Sequence, residues 1–165
     1  MKKNGFCVQI LAGGLGTRMK SELPKVLHET AGIPIIGHIL RAANGLNPEA
    51  MGVIVGHKAD VARQAVEEGC PKWGVTAPVE IFLQEQLTGS GRAVQEAMHF
   101  IGRHKTAMVL CGDTPLLTTH LLENFYDKFV NTGADAAILT AHVPNPHGYG
   151  RIIKDSNGFI TAIVE

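Results

Sequence analysis

The run Phe6-Cys-Val-Gln-Ile-Leu-Ala-Gly-Gly-Leu-Gly-Thr-Arg-Met19 joins an apolar stretch to three glycines in four positions, Gly13, Gly14 and Gly16. The apolar part, Phe6–Leu11, reads as a strand buried on both faces, which needs apolar residues without alternation. Glycine lets backbone come close to a ligand and tolerates positive φ. Successive backbone N–H groups in such a loop form a concavity suited to phosphate oxygens. Arg18 and Lys25 follow as one forked and one point-like cation, and both suit phosphate. The loop is therefore a candidate holder of a nucleoside triphosphate. The competing reading is a glycine turn after a strand, with Arg18 and Lys25 on a solvated face. Two commoner glycine loops fail by position. Walker A needs a lysine directly after its last glycine, and Thr17 follows Gly16. The dinucleotide fingerprint needs a third glycine where Met19 stands.

Outward from this loop, apolar β-rich runs alternate with helical patterns. Strands are expected at Met51–Val55, Val79–Leu83, Ala107–Cys111 and Ala136–His142 as well as Phe6–Leu11. Between them, Ile35, Ile36, Ile39, Leu40 and Ala43 recur at helical spacing, as do Val61, Ala62, Ala65 and Val66. So do Ala93, Val94, Ala97, Met98 and Ile101, and then Leu121, Leu122, Phe125 and Phe129. Alternating short strands and helices indicate an α/β fold, a mostly parallel sheet with helices on both faces. Ligands of such sheets bind beyond the carboxyl ends of the strands, where the glycine loop sits. Cys70–Pro78 is expected as a surface loop with Trp73 covering an edge of the core. Arg151–Lys154 and Phe159–Val164, joined by Asp155-Ser-Asn-Gly158, read as a C-terminal β-hairpin. The chain stops at Glu165 directly after an apolar strand, which reads as one domain, residues 1–165, cut from a longer protein.

The 165 residues suffice for a real core, and 15 basic against 15 acidic residues give zero formal net charge. That balance offers no electrostatic basis for binding nucleic acid or an anionic membrane. No apolar run is long enough to span a bilayer, and the apolar part after the basic start Met1-Lys2-Lys3 is short and runs straight into the glycine loop, unlike a signal peptide. Cys7, Cys70 and Cys111 share no metal-like spacing and are expected as reduced, mostly buried thiols of a cytoplasmic protein.

Three further stretches carry chemistry. In Cys111-Gly-Asp113, an aspartate stands where a buried strand ends. It is either a Mg²⁺ ligand, since Mg²⁺ takes one or two carboxylates plus phosphates and water, or a turn aspartate bonded to nearby backbone. Beside a phosphate loop the metal reading is favoured. In Gln84-Glu-Gln-Leu-Thr-Gly-Ser-Gly91, Gly89 and Gly91 allow close approach of a flat ligand, and the Gln84 amide offers paired donor and acceptor to a nucleobase. Ser90 there is either part of that surface or the cap of the next helix. In Asn145-Pro-His-Gly-Tyr-Gly150, glycines flank an aromatic where a sugar could rest.

Leu11 to Met19, with Pro24-Lys-Val-Leu-His28 and Gly32-Ile-Pro-Ile-Ile-Gly-His38, resembles the opening of the sugar-nucleotide pyrophosphorylases. Within that family it is most similar to the uridylyltransferase domain of bifunctional bacterial N-acetylglucosamine-1-phosphate uridylyltransferase/glucosamine-1-phosphate acetyltransferases. Pro24-Lys-Val-Leu-His28 discriminates: hexose-1-phosphate thymidylyltransferases have a longer spacer before the lysine, and molybdenum-cofactor guanylyltransferases lack Val-Leu-His. The resemblance continues through Gln84–Gly91, Gly112-Asp113, Asn145–Ile152 and Ile163-Val-Glu165. Gly13 and Ser90 depart from it, standing where the family usually has alanine and threonine.

The resemblance implies a Rossmann-like, GT-A-like nucleotidyltransferase fold. It implies an enzyme that forms UDP-N-acetylglucosamine, a peptidoglycan precursor, and pyrophosphate from UTP and N-acetylglucosamine 1-phosphate. The implied roles are nucleotide binding by Leu11, Ala12, Gly13, Gly14, Gly16, Gln84, Gly89 and Ser90, catalysis by Arg18 and Lys25, Mg²⁺ ligation by Asp113, and sugar contact by Gly150 and Glu165. It also implies a domain that continues past Glu165 to supply asparagines, including a second metal ligand, and full-length members that are homotrimers. A different base or sugar, a nucleotide-binding fragment without activity, and a non-binding scaffold are the alternatives.

Overall fold

The computed structural model describes residues 5–164; Met1–Asn4, Glu165 and the side chain of Arg18 lie outside the description. In chain order the elements are β1 (Phe6–Ala12), two 3-10 turns (Thr17–Met19 and Lys25–Leu27), the two-residue strands β2 (Glu29–Thr30) and β3 (Ile33–Pro34), α1 (Ile35–Asn44) and β4 (Ala50–Val55). There follow α2 (Ala59–Lys72), β5 (Val79–Leu83), α3 (Ser90–Glu96), α4 (Met98–Ile101), β6 (Thr106–Cys111), α5 (Thr119–Thr132), β7 (Arg151–Lys154) and β8 (Ile160–Val164). No described helix is long and apolar enough to cross a membrane.

The chain divides into two compact units, Met1–Asn131 and Thr132–Glu165. The first holds a four-stranded parallel sheet in the order β5-β4-β1-β6. Its strands lie within one residue of the expected runs, and β5 has the expected bounds. Side chains alternate across a strand, so β1 faces two cores. Phe6, Val8, Ile10 and Ala12 pack with Met51, Val53 and Val55 under α1, α2 and Leu122 of α5. Cys7 and Leu11 pack with Ile54 against Ala93, Ala97 and Phe100 on the other side. Each fully buried large side chain here contributes about 1.5–3 kcal/mol relative to exposure, and the Phe6 ring also meets Tyr126 at 4.5 Å. The chain thus crosses on one face from β1 to β4 to β5, then on the opposite face through α3 and α4 to β6. Strand order reverses beside β1, which opens a crevice at the carboxyl edge.

Three local expectations are corrected. The stripe Ala93–Ile101 forms two helices rather than one, broken at Ala97 (φ −119°, ψ 29°). The fully buried Gln9 meets this break, its Nε2 donating to the Val94 carbonyl at 3.3 Å, which also takes the Ala97 N–H. The supposed loop Cys70–Pro78 begins as helix, since α2 continues through Pro71 to Lys72. Trp73, directly after it, packs on the first core. A Cβ on Gly69 would lie 2.2 Å from its ring, and one on Gly37 3.0 Å. Finally, Ala136–His142 is not a strand. A strand needs a neighbour for its backbone groups, none of the described strands pairs with this run, and Ile138 and Leu139 are exposed.

In the second unit β7 and β8 pair antiparallel, Arg151 opposite Val164 and Ile152 opposite Ile163, with a bulge at Ile153/Lys154. The turn is held by Asp155, whose Oδ1 accepts the N–H groups of Asn157 and Phe159, both at 2.9 Å. Phe159 belongs to this turn, so β8 starts one residue later than expected.

An alanine at a helical glycine ordinarily gains about 1 kcal/mol. Gly69→Ala is predicted to do the opposite, because overpacking against a rigid ring costs about 1–3 kcal/mol. Thermal denaturation should show a lowered Tm for Gly69→Ala, and Trp73→Ala should abolish the penalty; a raised Tm in the single variant contradicts the packing described.

Candidate functional site

Three adjacent parallel strands end almost level, and a glycine follows each: Gly13 after β1, Gly56 after β4 and Gly112 after β6. Backbone proximity demands them. A Cβ on Gly56 would lie 2.8 Å from the Gly13 carbonyl oxygen, and one on Gly112 2.8 Å from that of Leu11. The strand ends are also bonded together. Gly112 N–H donates to the Leu11 carbonyl at 2.8 Å, His57 N–H to Gly13 at 3.2 Å and Gln84 N–H to Val55 at 2.7 Å. The fourth strand end, β5, supplies a buried side chain instead, Gln84. Its Nε2 donates to the Gln86 and Gly89 carbonyls at 3.0 and 3.3 Å.

Above this floor lies a cavity of about 300 Å³. It is lined by Leu11, Ala12, Gly13, Gly14, Leu15, Lys25, Val26, Gln84, Leu87, Gly89, Ser90, Ala93, Cys111 and Asp113. The structure therefore brings together nearly all the residues of the first unit that the sequence singled out. Gly16 is the exception. It takes a left-handed conformation (φ 59°) at the start of the Thr17–Met19 turn, and a Cβ there would meet the Lys25 Cβ at 2.9 Å. Gly16 thus makes room for the Lys25 stem rather than lining the cavity. Gly150 precedes β7 in the second unit, and Glu165 and the Arg18 side chain lie outside the described residues. The loop from Thr17 to Leu23 is tethered by Lys58, whose Nζ donates to the Glu22 carboxylate at 2.6 Å and to the Glu22 carbonyl. That contact holds the Glu22 carboxyl below its ordinary range.

Lys25 Nζ lies 2.6 Å from Asp113 Oδ2, an ion pair across 88 residues of sequence. The side chains are 40% and 37% exposed, so the pair contributes only about 0–1 kcal/mol to stability. Two opposite charges held in a cavity for so little stability are free to serve a ligand. Asp113 is the only carboxylate among the described lining residues, and the described residues hold no cluster of three or more His, Cys, Asp or Glu that could hold a metal ion. A lone carboxylate does not make a metal cage, but it suits Mg²⁺ that shares its coordination with phosphate oxygens and water.

Leu15, Val26, Leu87, Ala93 and Cys111 were not foreseen as lining residues. Leu15 and Leu87 form exposed apolar walls. Cys111, expected in the core, is exposed and opens into the cavity, and only Cys7 of the three thiols is buried. Alternation had the signal, since Met108 and Leu110 of β6 face the first core and leave Cys111 on the side of Leu11 and Ala93. Burial pushes the Cys111 thiol up from its ordinary range, the Asp113 charge adds to that, and the Lys25 ammonium opposes it.

This geometry has parallels among known proteins. Over 163 residues, 98% of the chain, it is 41% identical to the Bifunctional protein GlmU of Shouchella clausii (strain KSM-K16). It is 43% identical over 157 residues to the Bifunctional protein GlmU of Enterococcus faecalis (strain ATCC 700802 / V583). The chain spans about a third of the length of these curated relatives, 34% and 32%. The crystal structure of HddC from Yersinia pseudotuberculosis superposes with a TM-score of 0.73 over 96% of this chain and 68% of that one, at 23% identity, which establishes a shared fold. The model of the MobA-like NTP transferase domain matches residues 8–154, from inside β1 to the end of β7. The chain belongs to that family: it is a nucleotidyltransferase domain, and its crevice lies where strand order reverses.

Proposed function

We propose that the cavity binds UTP and that the domain transfers its uridylyl group to N-acetylglucosamine 1-phosphate, giving UDP-N-acetylglucosamine and pyrophosphate. One observation carries the reading: Gly13, Gly14, Lys25, Gln84, Gly89 and Asp113 open into a single cavity. The GlmU relatives, 41–45% identical, support the choice of substrates. In this reading Leu11, Ala12 and the glycine loop lie along the nucleotide, and Gln84, Gly89 and Ser90 take the base between Leu15 and Leu87. Gly150 and Glu165 would contact the sugar.

The chemistry needs little from the protein beyond placement and charge. A phosphate oxygen of the sugar phosphate, already an anion, attacks the α-phosphorus. The bond to the β-phosphate breaks on the opposite side, and pyrophosphate leaves with the bonding pair. Holding the two reactants in line removes much of the entropic barrier. Lys25 and Arg18 offset the charge that gathers on the phosphate oxygens, which a low-dielectric cavity makes effective. Asp113 would hold Mg²⁺, which when bound neutralises phosphate charge. Lys25 would then exchange the Asp113 carboxylate for phosphate, a cheap exchange because the ion pair is half-exposed. A second reading, nucleotide binding without turnover, is favoured by the single carboxylate among the described residues that line the cavity.

Pyrophosphate release by the chain with Mg²⁺, across a panel of nucleoside triphosphates and sugar 1-phosphates, separates these. Release limited to UTP with N-acetylglucosamine 1-phosphate supports the first reading. Binding without release supports the second, and release with another pair overturns the choice of substrates. Lys25→Ala is predicted to cut turnover about 100-fold or more while changing stability by no more than about 1 kcal/mol; unchanged turnover contradicts its role.

A separate readout does not depend on turnover. Saturating Mg·UTP should slow alkylation of Cys111 at mildly alkaline pH, followed by mass spectrometry of the modified peptides, and leave Cys70 unaffected. Equal rates at Cys111 with and without nucleotide would place the ligand elsewhere.

A further inference from the structure

The segment between the glycines and Lys25 is gripped from a single turn. Gly56-His57-Lys58 leads from β4 into α2, and two successive residues of it reach back. His57 N–H donates to the Gly13 carbonyl at 3.2 Å, at the start of the segment. Lys58 Nζ donates to the Glu22 carboxylate at 2.6 Å and to the Glu22 carbonyl, near its end. The residues between have little else to hold them. Thr17 and residues 19–23 are all exposed, so no apolar anchor fixes them. Their other hydrogen bonds among the described residues are Met19 N–H to the Gly16 carbonyl, Lys20 N–H to the Thr17 carbonyl and Leu23 N–H to Ser21 Oγ, all internal to the segment. Lys58 itself takes a left-handed conformation (φ 51°, ψ 46°). Glycine or asparagine takes it at less cost, so what lysine adds there is its side chain. Lys58 is not among the described residues that line the cavity.

We propose that Lys58 is a positioning residue: through Glu22 it sets the Thr17–Leu23 loop, and with it Arg18, for the triphosphate, without touching the nucleotide itself. The inference rests on the reading that Arg18 offsets triphosphate charge. A loop with no buried anchor samples many conformations, and a ligand that needs one of them must order it on binding. The Lys58–Glu22 contact does part of that ordering in advance. The competing account is that the Lys58 ammonium meets phosphate directly. The two accounts differ in sign at Glu22. In a direct role the Glu22 carboxylate competes with phosphate for Lys58, so removing it tightens binding. In a positioning role the carboxylate is the part that Lys58 holds, so removing it weakens binding, although the loop then carries one negative charge less.

The test is calorimetric titration of the chain with Mg·UTP, Mg·CTP, Mg·GTP and Mg·ATP, followed by titration of variants with the nucleotide bound best. The variants are Lys58→Met, Lys58→Arg, Glu22→Ala, Arg18→Ala, and Lys58→Met combined with Arg18→Ala. Lys58→Met and Glu22→Ala are each expected to weaken Mg·UTP by about 2- to 5-fold, the reach of one exposed ion pair. Lys58→Arg, which keeps the cation, should bind as the wild type does. In the Arg18→Ala background, Lys58→Met should have no further effect. Tighter binding by Glu22→Ala, a Lys58→Met loss that persists without Arg18, or unchanged affinity in both single variants overturns the inference and leaves the uridylyl reading standing. Arg18→Ala binding as tightly as the wild type overturns the role of Arg18 and the inference with it. A wild type that prefers another base overturns the choice of UTP, and the same variants then decide the inference with that nucleotide. No binding of any triphosphate overturns both. The Glu22 side chain is fully exposed, so Glu22→Ala keeps its melting temperature and carries the test even where Lys58→Met fails to fold.

Discussion

Backbone crowding at the carboxyl edge of the sheet is the constraint from which the site follows. β1, β4 and β6 end so close together that Gly56 and Gly112 approach neighbouring carbonyl oxygens at a distance no side chain permits. Glycines there bring main chain, rather than side chains, to the surface of the crevice. That leaves room for a ligand to approach the main chain from above. Gln84 completes the layer because β5 ends level with β4, Val55 standing opposite Leu83.

Stability and function draw on different parts of the first unit. Two apolar cores, one on each face of the sheet, hold β1 in the middle of the fold, and the charged side chains of the cavity, Lys25 and Asp113, add little. The Lys25–Asp113 pair is too exposed to matter much for folding. The Lys58–Glu22 contact, with Glu22 fully exposed, ties down the loop between the glycines and Lys25 without burying anything. Residues that contribute little to folding, yet converge from β1, the Lys25–Leu27 turn, β5 and β6, are the ones selection can hold for a ligand. The long sequence separation between Lys25 and Asp113 makes the same point, since only the parallel sheet brings them within 2.6 Å.

Much of this was legible in the residues because buried parallel strands leave a plain mark. Phe6–Leu11, apart from Gln9, and Met51–Val55 carry no polar side chain, as suits strands with two covered faces, and a glycine shortly after each marks where it stops. The parts that were misread depend on partners the local pattern does not name. Ala136–His142 has a strand's composition, but strand formation is decided by a neighbour. Ala93–Ile101 has a helix's spacing, but Ala97 breaks it where a glutamine from β1 reaches the Val94 carbonyl. Gly69 and Gly37 leave room for the Trp73 ring, a role that helical spacing does not disclose. In the site, the glycines, Gln84 and Asp113 announced themselves by type and position. Gly16 did not reveal that it serves Lys25, nor Cys111 which face of β6 it occupies.

The central claim is that one cavity at the strand-order reversal takes a nucleoside triphosphate. The most direct measurement is a backbone amide NMR titration of the chain with a non-hydrolysable UTP analogue and Mg²⁺. Shifts concentrated at residues 11–16, 25–26, 84–93 and 111–113 are the predicted result. Residues 63–81 around the α2–β5 groove, a second concavity of about 310 Å³, should stay unmoved. Shifts confined to that groove, or none anywhere at saturating analogue, would contradict the account.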